Sequence, residues 1–171
     1  MRAVGELDQT FEGRTLLIAA SYVVLRRGDE VLLQLRRGTG YMDGFWATIA
    51  GHVDPGESVY EAAVRELREE ADVTVLASDL QPLTTIHRYE VGGPQVEQRC
   101  DVFFETRSWT GEPRIAEPAK CEAMAWFPLT ALPEPVVPHE LLVLRTLAAH
   151  GSLPAVVALR AGVASTPPID R

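Results

Sequence analysis

Glu57, Arg65, Glu66, Glu69 and Glu70 are the residues of this 171-residue chain whose types and spacing can do chemistry. Glu66, Glu69 and Glu70 are spaced i, i+3, i+4, so on a helix the three carboxylates share one face. Such a cluster repels itself unless a cation sits beside it. Ligands that are all oxygen suit a hard divalent ion, Mg2+ first and Mn2+ second. No His or Cys stands in the cluster, so zinc does not suit it. An ion of that kind keeps several waters and shares its coordination with phosphates. It would neutralise charge on a diphosphate and make a water more acidic. Arg65 lies four residues from both Glu61 and Glu69 and can pair with each. The plainer alternative is a solvated helix face laced with ion pairs. The Arg65 pairs would each stabilise by about 0.2–0.5 kcal/mol, and the like-charge contacts oppose them by similar amounts. Energetics alone do not choose between the two.

The elements that must position these groups can be read around them. Ser58 to Ala71 has no Gly or Pro and is rich in helix formers. Ser58 and Glu61 fit a capping box, which starts the helix at residue 59. Val59, Ala63, Leu67 and Ala71 share one side of it and should pack on a sheet. Upstream, Leu16 to Arg26 and Val31 to Leu35 flank Arg27-Gly28-Asp29 and read as a β-hairpin. Arg36 to Gly44 is a Gly-bearing loop, and Phe45 to Val53 reads as one strand ended by the turn Asp54-Pro55-Gly56. Downstream strands are expected over Leu83 to Val91, Val96 to Trp109 and Glu122 to Leu129. A closing helix runs from Pro138 to His150 with Gly151 as its stop. Strands on both sides of one strong helix imply a mixed sheet covered by helices in one layered domain.

The segment GHVDPGESVYEAAVRELREEADV, Gly51 to Val73, resembles the box of the Nudix (MutT-like) hydrolases. That box is Gly, five residues, Glu, seven residues, Arg-Glu, an aliphatic, any residue, Glu-Glu, any residue, Gly, an aliphatic. Gly51, Glu57, Arg65, Glu66, Leu67, Glu69, Glu70 and Val73 all match. A chance match allowing one error is expected in roughly one chain in 10⁵ of this length, which disfavours the solvated-face alternative. Asp72 stands where the family has Gly; Asp tolerates left-handed backbone better than most residues, and no carboxylate is lost.

The resemblance implies an α+β fold, an α/β/α sandwich with a central mixed β-sheet, over residues 14–151. Residues 1–13 would be an N-terminal extension and 152–171 a C-terminal tail. It implies a Mg2+-dependent hydrolase (Mn2+ as the alternative). Water would attack phosphorus in a nucleoside triphosphate or another nucleoside diphosphate linked to X. Glu66, Glu70 and Arg65 would be catalytic. Glu57, Glu66, Glu69, Glu70 and the Ala50 carbonyl would hold the metal, and either Glu66 or Glu70 would take the proton. Arg36, Arg37, Tyr41, Phe45 and Glu117 are candidate substrate contacts. Alternatives are a dinucleoside polyphosphate or nucleotide-sugar hydrolase and a non-catalytic nucleotide-binding regulator on the same fold.

Composition narrows the partners. A net charge of −8 lacks the basic footprint of a nucleic-acid binder, so the expected partner is a small-molecule nucleotide rather than a nucleic-acid polymer. The longest apolar run, Leu16 to Leu25, is too short to span a bilayer. The first 13 residues carry no apolar signal run, and no membrane partner is expected. Cys100 and Cys121 rule out a disulfide framework and fit free thiols in a cytoplasmic protein. A homodimer is left open.

Overall fold

The computed structural model describes residues 13–161. Strands β1 (Ile18–Arg27) and β2 (Glu30–Arg36) leave the Gly28-Asp29 turn together, where Gly28 takes a φ of 59° that costs a glycine little. They stay paired only at Arg26↔Val31 and Arg27↔Glu30, then diverge. Each becomes the centre of its own half of the sheet. β1 pairs antiparallel with β4 (Ile49–His52) and parallel with β6 (Arg99–Thr106). β2 pairs antiparallel with β3 (Trp46–Ala47) and β7 (Cys121–Pro128). Beyond β6 come β5 (Gln81–Tyr89), antiparallel to it, and β8 (Val156–Arg160), parallel to β5.

Two helices cover this mixed sheet: α1 (Val59–Ala71) and α2 (Pro138–His150). The period of two along β1 sorts them to opposite faces. Val23 and Leu25 join a core with Ala63, Leu67 and Ala71 of α1. Tyr22 and Val24 point the other way, Tyr22 beside Val143 and Val24 beside Leu144 and Leu147 of α2. β6 repeats the division, with Phe104 on the α1 side and Phe103 on the α2 side. The expected layered α+β architecture is therefore observed. Ala63, Leu67 and Ala71 are fully buried, and truncating Leu67 to Ala would cost about 2–5 kcal/mol. Both cysteines are free. Among the described residues no helix is long and apolar enough to cross a membrane.

Two expectations are corrected. Residues 45–53 do not form one strand: the chain breaks between β3 and β4 at Thr48. There the buried Glu140 of α2 accepts both the Thr48 N–H (2.5 Å) and its hydroxyl (2.8 Å), which diverts the backbone from one half of the sheet to the other. The segment assigned to a tail from residue 152 also contributes to the sheet. β8 lies within it and extends the sheet, with Thr84 Oγ1 donating to the Pro154 carbonyl (2.7 Å) just before it. Alternation of exposed and half-buried residues in β8 left too weak a signal to find it. The extension of residues 1–13 falls outside the described residues except for Gly13.

Candidate active site

Helix α1 begins as its sequence dictates. Ser58 Oγ accepts the Glu61 N–H (3.2 Å) and Glu61 Oε2 accepts the Ser58 N–H (2.8 Å), a complete capping box. Glu61 is thereby committed to the cap and does not pair with Arg65. The helix ends at Asp72, whose φ of 56° and ψ of 32° are left-handed. Arg114 grips this carboxylate through Nε (2.6 Å) and Nη2 (2.5 Å), which holds an aspartate where the related pattern has glycine.

Arg65 is the hub of the helix's polar face. Its Nε and Nη2 donate to both oxygens of Glu57 (2.7 and 2.9 Å), Nη1 to Glu66 (2.5 Å) and Glu69 (3.2 Å), and Nη2 also to the His52 carbonyl (2.9 Å). The Glu57 pair was not legible from i, i+4 spacing, because Glu57 approaches from the loop before the helix. Glu57 is held below the usual carboxylate range, chiefly by its hydrogen bond from Arg65.

Gly51 explains itself through Glu66. A Cβ at residue 51 would lie 1.8 Å from Glu66 Oε1, so only glycine lets this carboxylate rest on β4. Glu70 goes deeper. It is 9% exposed, and its Oε2 accepts from Gln34 Nε2 (2.7 Å) and the Ala50 N–H (3.2 Å). Burial, and then the charge of Glu66, push its pKa up to about 7, against the lowering effect of those two donors. Glu66 is raised too, mainly by burial.

These groups open onto one cleft of about 580 Å³. Ala50, Gly51, His52, Asp54, Arg65, Glu66, Glu69 and Glu70 form one wall; Tyr22, Arg36, Tyr41, Arg88, Arg99, Lys120 and Glu140 are among the residues opposite. Of the sequence candidates, Arg36 and Tyr41 reach the cleft, tied together by Arg36 Nε donating to the Tyr41 carbonyl (3.0 Å). Glu57, Arg37, Phe45 and Glu117 do not line it. Glu57 is spent on Arg65. Arg37 is exposed, and its backbone N–H donates to the Lys120 carbonyl (2.9 Å). Phe45 sits at the base of the 36–44 loop, its N–H on the Met42 carbonyl. Glu117 pairs with Lys120 (2.9 Å) behind the wall. Gln34, Arg88, Arg99 and Glu140 were missed. Each lies in an ordinary strand or helix whose spacing marks out no site, and only tertiary pairing brings them together.

The donor chemistry fits a hard cation: four acidic side chains, Asp54, Glu66, Glu69 and Glu70, line this wall of the cleft with no sulfur, and His52 is the single imidazole among them. The expected grip of four glutamates on one ion is not pre-assembled. Among the described residues no three acidic, His or Cys side chains are gathered as a ready cage. The physical reason is Arg65, which stands among Glu57, Glu66 and Glu69 and supplies the positive charge they need. Glu66 and Glu70 keep their mutual repulsion, the relief of which is what a divalent ion offers.

Known proteins bear on this geometry. The human 8-oxo-dGDP phosphatase NUDT18 is 34% identical over 130 residues, 75% of this chain and 37% of that protein. The NAD-capped RNA hydrolase NudC of Stutzerimonas stutzeri is 33% identical over 111 residues, 65% of this chain and 36% of that protein. The chain thus spans little more than a third of the length of these curated relatives. A crystal structure of a MutT NUDIX hydrolase from Burkholderia pseudomallei superposes with a TM-score of 0.68 at 25% identity, covering 76% of this chain and 97% of that one. The model of the NUDIX domain matches residues 15–147, most of the chain, including every residue of the glutamate wall. With the sheet, the helix and the wall already in place, that match assigns the chain to the NUDIX domain family.

Proposed function

We propose that the protein is a Mg2+-dependent pyrophosphohydrolase, with Mn2+ able to substitute, that cleaves a phosphoanhydride bond in a nucleoside diphosphate linked to X. The observation that carries this reading is Glu70: a buried carboxylate on the wall of a polar cleft, held by two hydrogen bonds, with a pKa near 7. A base that is half-ionised near neutrality is suited to taking a proton from water. Glu66, Glu69, Glu70 and the Ala50 carbonyl would hold the ion, with Glu57 contributing through Arg65. When bound, the ion supplies charge neutralisation on the diphosphate and a more acidic water. Arg65 keeps Glu57, Glu66 and Glu69 oriented, and Gln34 holds one oxygen of Glu70 on the cleft wall. Of the two proton acceptors left open by the sequence, Glu70 is favoured because it is the more deeply buried and free of Arg65.

The substrate is proposed as a small nucleotide. 8-oxo-dGDP comes first, since the protein is similar to NUDT18, with nucleoside triphosphates beside it. A dinucleotide such as NAD, free or at an RNA end, is the second reading, favoured by the similarity to NudC. The test is phosphate or mononucleotide release from a panel of ordinary and oxidised dNDPs and dNTPs, NAD, ADP-ribose and diadenosine polyphosphates, with Mg2+ and with EDTA. Turnover with Mg2+ that vanishes in EDTA and in Glu70→Gln is expected. Equal release by wild type and Glu70→Gln would remove the site assignment.

A further inference from the structure

The cleft has a second end that the glutamate wall does not explain. The β5–β6 register sets Arg88 opposite Arg99 and Ile86 opposite Asp101. The period of two puts Arg99 and Asp101 on the face shared with Phe103, on the α2 side. Asp101 is fully buried beneath the two arginines. It accepts from Arg88 Nε, and its other oxygen lies 3.8 Å from Arg99 Nε, beyond hydrogen-bond reach. That oxygen and Arg99 Nε are both buried without a hydrogen-bond partner.

Charge does not balance here. Two guanidiniums, whose side chains are only 16% and 13% exposed, share one carboxylate. At this end of the cleft Arg36 adds a third cation, and Glu97 and Glu140 add a second and a third carboxylate. Of these carboxylates only Asp101 lies within ion-pair distance of Arg88 or Arg99, so the pair itself carries one unmatched guanidinium. His139, buried behind this end, is held in its neutral form first by burial and then by Arg88, Arg99 and Arg36. A surplus guanidinium withdrawn from water is costly until an anion meets it. A neutral base can accept hydrogen bonds from it but cannot cancel the charge, whereas a phosphate does both in the fork geometry that Arg presents.

Position says where on the substrate that phosphate must be. β4, which carries Ala50, is followed across the sheet by β1, β6 and β5. At about 4.8 Å per strand, β6 and β5 lie roughly 10 and 14 Å from the Ala50 strand. That is too far for the phosphates of the scissile anhydride, and it is the reach of the nucleoside beyond them.

We propose that Arg88 and Arg99 form a subsite for a phosphate esterified to the distal sugar of the nucleotide, with Asp101 as the residue that positions them. This deepens the function proposed above and rests on it for the link to turnover. The subsite itself is tested without turnover, by titrating the full chain in EDTA with NADP+ and NAD+, a pair that differs by one ribose phosphate. Wild type binds NADP+ about tenfold or more tighter, and the preference shrinks as salt is raised. In Arg99→Gln and Arg88→Gln the ratio falls toward one. Asp101→Asn lowers it, and Asp101→Glu restores part of it, a pattern that loss of packing alone would not give. The ratio is read within each variant, with circular dichroism as the folding check. Equal affinity of wild type for the two ligands overturns the subsite even if every variant unfolds, as does a preference that survives Arg99→Gln together with Arg88→Gln. A wild-type preference without Mg2+-dependent hydrolysis of any nucleotide would leave the subsite standing and overturn the proposed function alone.

Discussion

The two walls of the cleft are built in opposite ways. The glutamate wall comes from one continuous stretch, Gly51 to Glu70, and most of its contacts are local: Arg65 to Glu57, Glu66 and Glu69, with Glu66 resting on Gly51. The facing wall draws Tyr22, Arg36, Arg88, Arg99 and Glu140 from β1, β2, β5, β6 and α2. The first wall is acidic and set by helix geometry. The second is rich in guanidinium and set by strand register. The difference teaches that reaction chemistry and substrate choice can rest on separate physical supports in one cleft, so mutations should separate them.

The largest effect is expected at the buried end of the glutamate wall. Glu70→Gln keeps the shape and the Gln34 contact region but removes the base; kcat should fall about 10²–10⁴-fold, measured at saturating nucleotide and Mg2+. A loss no larger than that of a facing-wall variant would break the contrast. In the metal-free wild type, Mg2+ affinity should rise with pH through about 7, because Glu70 must be ionised to take the ion. An Mg2+ affinity that stays flat from about pH 5 to about pH 9 would take Glu70 off the ion.

Gly51→Ala comes next. The added Cβ meets only the terminal carboxylate of Glu66, which must swing away, so activity should fall while stability in urea denaturation changes by about 1 kcal/mol or less. Retention of full activity would mean that Glu66 need not rest on β4.

Glu140→Gln tests the facing wall by stability. The Glu140 pKa is raised to about 7 in the folded protein, above its unfolded value, so the folded state prefers the protonated form. Stability linked to this group is therefore present at low pH and lost as pH rises from the ordinary carboxylate range through about 7. Thermal melting of wild type should show that fall, and Glu140→Gln should make it shallower, with Glu70 supplying the remainder. An unchanged pH profile would show that burial of Glu140 is not what links stability to pH.

The smallest effect is expected at Asp72→Gly. Glycine removes the cost of left-handed backbone at φ 56°, and the exposed pair with Arg114 is worth little. The net change should lie within about 1 kcal/mol, with kcat unaltered.

Legibility followed the same division. Ser58, Glu61, Arg65, Glu66, Glu69 and Glu70 were readable because helical spacing places them without knowledge of the rest of the chain. The Arg65–Glu57 pair escaped that rule, since a loop brings Glu57 back across eight residues. Phe45 to Val53 looked like one strand because nothing local announces that Glu140, 92 residues away, will seize Thr48. β8 was missed for want of a continuous apolar signal, and its place is decided by its pairing with β5.

The amino-acid sequence by itself determined the glutamate helix, its cap, the hairpin and the closing helix, because local hydrogen bonds and side-chain periodicity act over a few residues. Only the tertiary structure decided that Glu70 is buried on Gln34, that Arg88 and Arg99 share Asp101, and that both ends meet in one cleft. Those outcomes depend on strand order and register, which are settled by contacts between residues far apart in the chain and leave no spacing to read.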